Sequence, residues 1–323
     1  MTRAVVRGVG HYLPERVVEN DWFTTFLDTS DEWIRSRSGI ERRHFAAEGQ
    51  TTSDLATRAA GAALADAGMD ASQIDAIVLA TSTPDLTFPA TATIVQERLG
   101  MVRGFAFDVQ AVCAGFIYAL ANANALILAG QAERVLVIGA ETFSRIMNWE
   151  DRTTCVLFGD GAGALVLEAA QGQGTAADRG ILATDLQSDG RHREILKVTG
   201  GVSASQSTGH LMMAGKEVFR HAVEKLATST LDVIAKAGVS ITDIDRVVPH
   251  QANIRIITRT AQKLDLPMEK IVVTVQDHGN TSAASIPLAM SVAQDRGELS
   301  EGDLVVTEAI GGGLAWGAVV LRW

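Results

Sequence analysis

From Val109 to Ala132 the chain carries no formal charge, and Cys113 sits near the start of that stretch. A strand ending near Asp108 would turn tightly into a helix of about five turns, apolar almost all round. Such a helix belongs in an interior. Asn122, Asn124 and the many small residues favour a core helix over a membrane span. Cys113 then falls at or near the helix N-terminus, where unpaired N–H groups and the dipole favour a thiolate. The competing reading is an inert core cysteine. Metal ligation is not expected, because the chain has one other cysteine and no C-x-x-C spacing.

The rest of the composition narrows the class. At 323 residues, with 47% hydrophobic and 20% charged residues, the chain suits a compact globular fold and is too apolar for disorder. Its net charge of −10 argues against nucleic acid as a partner. The opening MTRAVVRGVG reads directly as a strand, so no signal peptide is expected. Two cysteines in apolar settings make no disulfide framework, and a cytoplasmic location is expected. Cys155, in TTCVLFGDGAGALVLE, reads as a strand-like core residue.

The chain also repeats itself. ADAGMDASQIDAIV at 65–78 and AKAGVSITDIDRVV at 235–248 each read as a helix end, a glycine cap, an Ile-Asp turn and a buried strand. Nearly the same offset sets Val135–Ile138 in RVLVIGAE against Leu304–Thr307 in DLVVTEA, and the turn before Cys113 against VQDHGNTSAAS, where a helix should begin near Ser282. This implies two similar α/β halves, 1–172 and 173–323, with mixed or largely parallel sheets covered by helices.

Partners for the cysteine follow from that register. His250 ends the buried strand IDRVVPH and opens onto a helix, the position where α/β sheets usually present chemistry. Asn280 follows the run IVVTVQDHGN, read as a further strand, in the counterpart of the turn before Cys113. The triple glycine of EAIGGGLAWG lets backbone N–H groups approach a ligand closely. Arg255, Arg259 and Lys263 follow at helical spacing on one face, a basic stripe unexpected in an acidic chain, and are predicted to dock an acidic partner, which the resemblance given below implies is the carrier protein.

Cys113 in AVCAGF, His250 in PHQANIRI, Asn280 in GNTSAAS and Gly312 in GGGLAWG resemble the site of the β-ketoacyl-acyl carrier protein synthase III family. TSDEWIRSRSGIERRH and FGDGAGA extend the resemblance over the whole chain. The family implies a duplicated, five-layered αβαβα thiolase-like fold that dimerises. It implies acyl transfer from acyl-CoA to the cysteine, then decarboxylative condensation with malonyl-acyl carrier protein, with no metal or other cofactor. By the same resemblance Cys113 and Gly312 form the oxyanion hole. Trp33 and Arg152 hold the CoA adenine, Arg37 meets its phosphates and Thr29 joins that CoA site. Phe88 reaches the neighbouring subunit's acyl pocket and limits chain length. Lys216 stands where some members carry asparagine near the pantetheine arm. Elongating ketosynthases carry a second histidine where Asn280 stands, and thiolases a second cysteine near the carboxyl end. A starter-unit synthase or acyltransferase of secondary metabolism shares the pattern. A non-catalytic acyl-CoA or carrier-protein binding module would not need Cys113, His250 and Asn280 together.

Overall fold

The computed structural model describes residues 1–323. The chain opens with β1 (Thr2–Tyr12), then β2 (Arg16–Glu19), α1 (Asn20–Thr24), α2 (Asp31–Ser38) and β3 (Arg42–Phe45). Helix α3 (Thr52–Ala67), β4 (Ala76–Ala80), α4 (Thr91–Arg98) and β5 (Phe105–Val109) follow, then α5 (Gly115–Leu128), β6 (Arg134–Thr142) and β7 (Asp160–Gln171). The remainder begins with β8 (Gly180–Ser188), the ribbon β9 (Leu196–Val198) and β10 (Leu211–Met213), α6 (Gly215–Ala237) and β11 (Arg246–Pro249). It closes with α7 (Ile254–Lys263), α8 (Val275–His278), α9 (Ser285–Asp295), β12 (Leu304–Gly311) and β13 (Ala315–Arg322).

Two mixed sheets carry the fold, ordered β1-β7-β6-β4-β5 and β11-β12-β13-β8. Helices α5 and α9 lie between them, α3 covers the first sheet from outside and α6 the second, so the layers run αβαβα. Residues 170 apart play matching parts. Helices α3 and α6 both end on a left-handed glycine, Gly68 and Gly238, and each is followed by a capping box, Asp70/Gln73 and Ser240/Asp243. Asp75 then accepts from Arg134 N at 2.9 Å, as Asp245 accepts from Leu304 N at 2.8 Å. The Ile-Asp turn thus fixes strand register in both halves.

Small residues set the layer spacing. A Cβ on Gly10 of β1 would lie 2.3 Å from Ala63 N of α3, and one on Gly139 of β6 2.2 Å from Ala283 O. The central core joins α5 and α9 to the inner faces of both sheets; Phe116, Ile117, Leu120 and Met290 are buried in it.

Three expectations are corrected. Helix α5 runs Gly115–Leu128, about four turns rather than five, and its last turns expose Asn122, Ala125 and Leu128 where it emerges from between the sheets. Cys155 is buried in an apolar cluster with Phe143 and Phe158 but lies in a run of turns before β7, not in a strand. The run IVVT after α7 forms no strand. It keeps a single bridge to β11, Val272 N donating to Val247 O at 2.9 Å, and the next backbone groups are taken by the Gln251 amide, which donates to Val272 O (3.1 Å) and accepts from Thr274 N (2.8 Å) and Val275 N (3.1 Å). A buried side chain has satisfied the backbone there, so β propensity alone could not carry the segment.

Candidate active site

Strand β5 leads through a 3₁₀ turn, Val112–Ala114, into α5. Val112 holds φ +51°, a left-handed conformation unusual for a β-branched residue. That kink delivers Cys113 to the helix entrance, where it is 5% exposed. A Cβ on Gly311 would lie 2.6 Å from Cys113 N, so the glycine cluster closes directly on the cysteine backbone. The expected low thiol pKa is not what this environment produces. Burial pushes Cys113 up to about 12, and a neighbouring Glu141 carboxyl adds to the rise, outweighing the Ser282 hydroxyl that favours the thiolate. At rest the residue is a thiol.

His250 follows the last residue of β11. Its Nδ1 lies 2.6 Å from Ser285 Oγ, which also accepts from Gln251 N at 3.3 Å. Burial lowers the ring to about 3, so it is neutral across the physiological range. Asn280 is fixed at both levels. Its backbone bridges to Phe158, and its Oδ1 accepts from Ser282 N at 2.9 Å. With the amide oxygen used there, the NH₂ end is left as the free donor. Cys113, His250 and Asn280 line one cavity of about 60 Å³ with Phe143, Phe158, Leu196, Leu211 and Ile310. Phe143 and Phe158 stack at 5.0 Å and narrow it.

An adjoining, more open cleft of about 510 Å³ shares Val112, Phe143, Leu196 and Leu211 and is also lined by Gly312 and Ser82. Phe88 contributes to neither cavity of its own chain; it is 83% exposed, on the loop before α4. Trp33, on α2, has the Arg37 guanidinium 4.4 Å and the Arg152 guanidinium 5.2 Å from its ring. Arg152 also donates to the backbone of Asp28. The Thr29 hydroxyl beside them is buried without a hydrogen-bond partner. Lys216 is exposed in the first turn of α6.

The basic stripe is real on α7. Arg255, Arg259 and Lys263 are exposed, and none pairs with a carboxylate; Arg259 donates to Gln262 (3.1 Å) and Arg255 lies 5.9 Å from the Phe219 ring. Sequence reasoning missed Ser282, Ser285, Gln251 and Glu141. For Glu141 a signal existed, a lone charge in the buried strand VLVIGAET; the others show only in three dimensions.

A five-layered duplicated fold with a cysteine at the entrance of a central helix, facing a histidine and an asparagine from the other half, defines a thiolase-like condensing enzyme, an acyltransferase. The family models for 3-oxoacyl-(acyl-carrier-protein) synthase III and its C-terminal part match residues 107–190 and 234–323. A relative from Ruegeria pomeroyi named β-ketoacyl-(acyl-carrier-protein) synthase III is 75% identical over 321 residues, 99% of each chain. The solved 3-oxoacyl-(acyl-carrier-protein) synthase III of Aquifex aeolicus superposes with a TM-score of 0.93 at 45% identity, covering 99% of this chain and all of that one. A priming β-ketosynthase from a polyketide biosynthetic pathway superposes at 0.92 with 33% identity, covering all of this chain and 96% of that one. The chain belongs to the β-ketoacyl-acyl carrier protein synthase III family. No helix is long and apolar enough to cross a membrane.

Proposed function

We propose that this chain condenses a short acyl-CoA, acetyl-CoA first among them, with malonyl-acyl carrier protein through an acyl-Cys113 intermediate, initiating fatty acid synthesis. The observation that carries this reading is the small shared cavity, where one thiol meets two side chains that stay uncharged. Cys113 attacks the thioester carbonyl and the CoA thiol departs. The oxyanion formed on the way is held by the N–H groups of Cys113 and Gly312, a role supported by the close approach of the glycine cluster to the cysteine. Malonyl-acyl carrier protein then loses carbon dioxide. His250 and Asn280 donate to the enolate oxygen, and the enolate carbon attacks the acyl group on Cys113. The family runs this chemistry on the cysteine without a cofactor.

Delivery of substrate rests on surface groups. The Trp33, Arg37 and Arg152 cluster, with Thr29, receives the CoA nucleotide: the ring offers a face for adenine once Arg152 lifts away, and Arg37 brings a cation to the phosphates. Lys216 stands near the pantetheine path. The α7 stripe docks the acidic carrier protein. Phe88, exposed here, enters the acyl pocket of a second copy in a homodimer and caps chain length, so Phe88→Ala would lengthen the accepted acyl chain. The protein acts in the cytoplasm, and its halves divide at residue 172. A role in priming secondary metabolism is less favoured, since the polyketide enzyme is far more distant than the Ruegeria relative.

Mass spectrometry after incubation with a panel of acyl-CoAs tests the reading. Acylation is expected on Cys113 alone and to disappear in Cys113→Ser, a loss of about 10³-fold or more. Label that persists in that variant, or lands on Cys155, overturns it.

A further inference from the structure

Arg43, on β3, is fully buried, and every hydrogen bond it makes goes to a neutral acceptor. Its Nη1 donates to Val18 O at 3.1 Å and to Asn20 Oδ1 at 2.8 Å, and its Nη2 donates to Val156 O at 2.5 Å. Its Nε has no partner. The nearest carboxylate link is indirect, since Asp31 accepts from Asn20 Nδ2 at 2.7 Å. A buried cation without an ion pair is costly, and an apolar side chain of similar size would avoid that cost. What the guanidinium holds in place explains it.

Its contacts converge on the backbone that pins Asn280. Val156, whose carbonyl takes Nη2, directly precedes Leu157, whose carbonyl accepts from Asn280 N at 2.9 Å. Gly159 N donates to Asn280 O at 3.0 Å, which completes the bridge. The arginine stem packs against both sides of it. A Cβ on Gly159 or on Gly279 would lie 3.0 Å from Arg43 Cβ, so the two glycines let the chain close on the arginine. The same segment carries Phe158, which stacks on Phe143 and walls the cavity. The other two site residues are held elsewhere. The glycine cluster closes on the Cys113 backbone, whereas His250 is bonded to Ser285 through its ring and to Glu308 O through its backbone N–H at 2.8 Å.

We propose that Arg43 is a positioning residue for Asn280: it fixes the segment from Val156 to Gly159, and through that segment sets where the Asn280 amide donates in the condensation step. This rests on the acyl-Cys113 reading above. Arg43 lines neither cavity and takes no part in bond making. Its planar fork reaches Val18, Asn20 and Val156 together, which the single ammonium of a lysine does not reproduce. Loss of the fork leaves Asn280 Oδ1 on Ser282 N but frees the backbone on the other side of the bridge. The donor then points less accurately at the enolate oxygen, while the thiol keeps its own supports.

The test measures the two half-reactions separately in the intact enzyme, for Arg43→Lys and Arg43→Met. Misplacing a catalytic group by about 1 Å can cost about 10²-fold, so condensation should fall about tenfold or more, with acyl loading of Cys113 within about twofold of wild type. Arg43→Met keeps an apolar stem without the buried charge, and whichever variant folds decides the matter. Built into Asn280→Ala, the same change should cost condensation less than about a further twofold, because the group it positions is already gone. Wild-type condensation in a folded variant overturns the proposal. So does an equal fall in loading and condensation, the mark of a merely structural arginine. A full additional loss in the Asn280→Ala background overturns it too, since the effect then bypasses Asn280. A wild type whose Cys113 takes no acyl group overturns the acyl-transfer reading and this inference together, whereas an unaffected variant of an active wild type overturns this inference alone.

Discussion

The turn at Val112–Cys113 and the turn at Ser282–Ala283 are the same piece of backbone used twice. Both begin with a left-handed residue, φ +51° at Val112 and +50° at Ser282, and both open a central helix through a 3₁₀ turn. The first carries the thiol; the second carries alanine in that place. What differs is the approach. In the first half an edge strand, β5, pairs with β4 and leads into the turn. In the second half the matching residues form α8, because Gln251 has occupied the backbone groups a strand would use. Duplication therefore supplied two matching helix entrances, and divergence placed a buried thiol in one and an alanine in the other. Asn280 projects from that second entrance into the cavity that also holds the thiol.

If the halves divide the work in this way, damage to each should separate the two half-reactions. Asn280→Ala should lower condensation by about 10²–10³-fold while acyl transfer to Cys113 stays largely intact, measured as single-turnover loading against steady-state product. Equal loss in both would erase the division. A smaller effect tests the second half's surface. Arg255→Glu with Arg259→Glu should raise KM for malonyl-carrier protein about tenfold at low salt, less as salt screens it, with acyl-CoA loading little changed. Wild-type kinetics in that double variant would move the docking face elsewhere.

The smallest effect concerns stability and compares two buried carboxyls. Glu141 is met by three neighbouring residues that donate to it, whereas Glu308 on β12 has an oxygen with no partner, and burial alone raises it to about 8. Its folded-state pKa lies above the ordinary 4.5, so the native state binds the proton more tightly than the unfolded chain. That contribution is fully present below about pH 4.5 and is lost as pH rises through about 8. Glu308→Gln should remove this pH dependence, leaving Tm several degrees above wild type at pH 9 with little gain at pH 5. Parallel Tm profiles would show that Glu308 is solvated or paired.

Much of this was legible beforehand, and the reason is local. The repeat was visible because each Ile-Asp turn must cap a helix, bind a neighbouring strand and start its own strand, constraints that act within a few residues. Cys113, His250 and Asn280 stood out because each ends or follows a buried element where polar residues are unexpected. Surface groups on α7 were readable from helical spacing.

The sequence by itself determined the duplicated α/β pattern and the uncharged central helix, and it singled out the candidate side chains, since periodicity, capping and residue chemistry are properties of short segments. Only the tertiary structure decided that burial raises the thiol, that the Gln251 amide takes backbone groups a strand would use, and that Cys113, His250 and Asn280 line one cavity. Each depends on desolvation and on hydrogen bonds between residues far apart in the chain. Burial is what raises the Cys113 thiol, and its extent is set where the two halves meet.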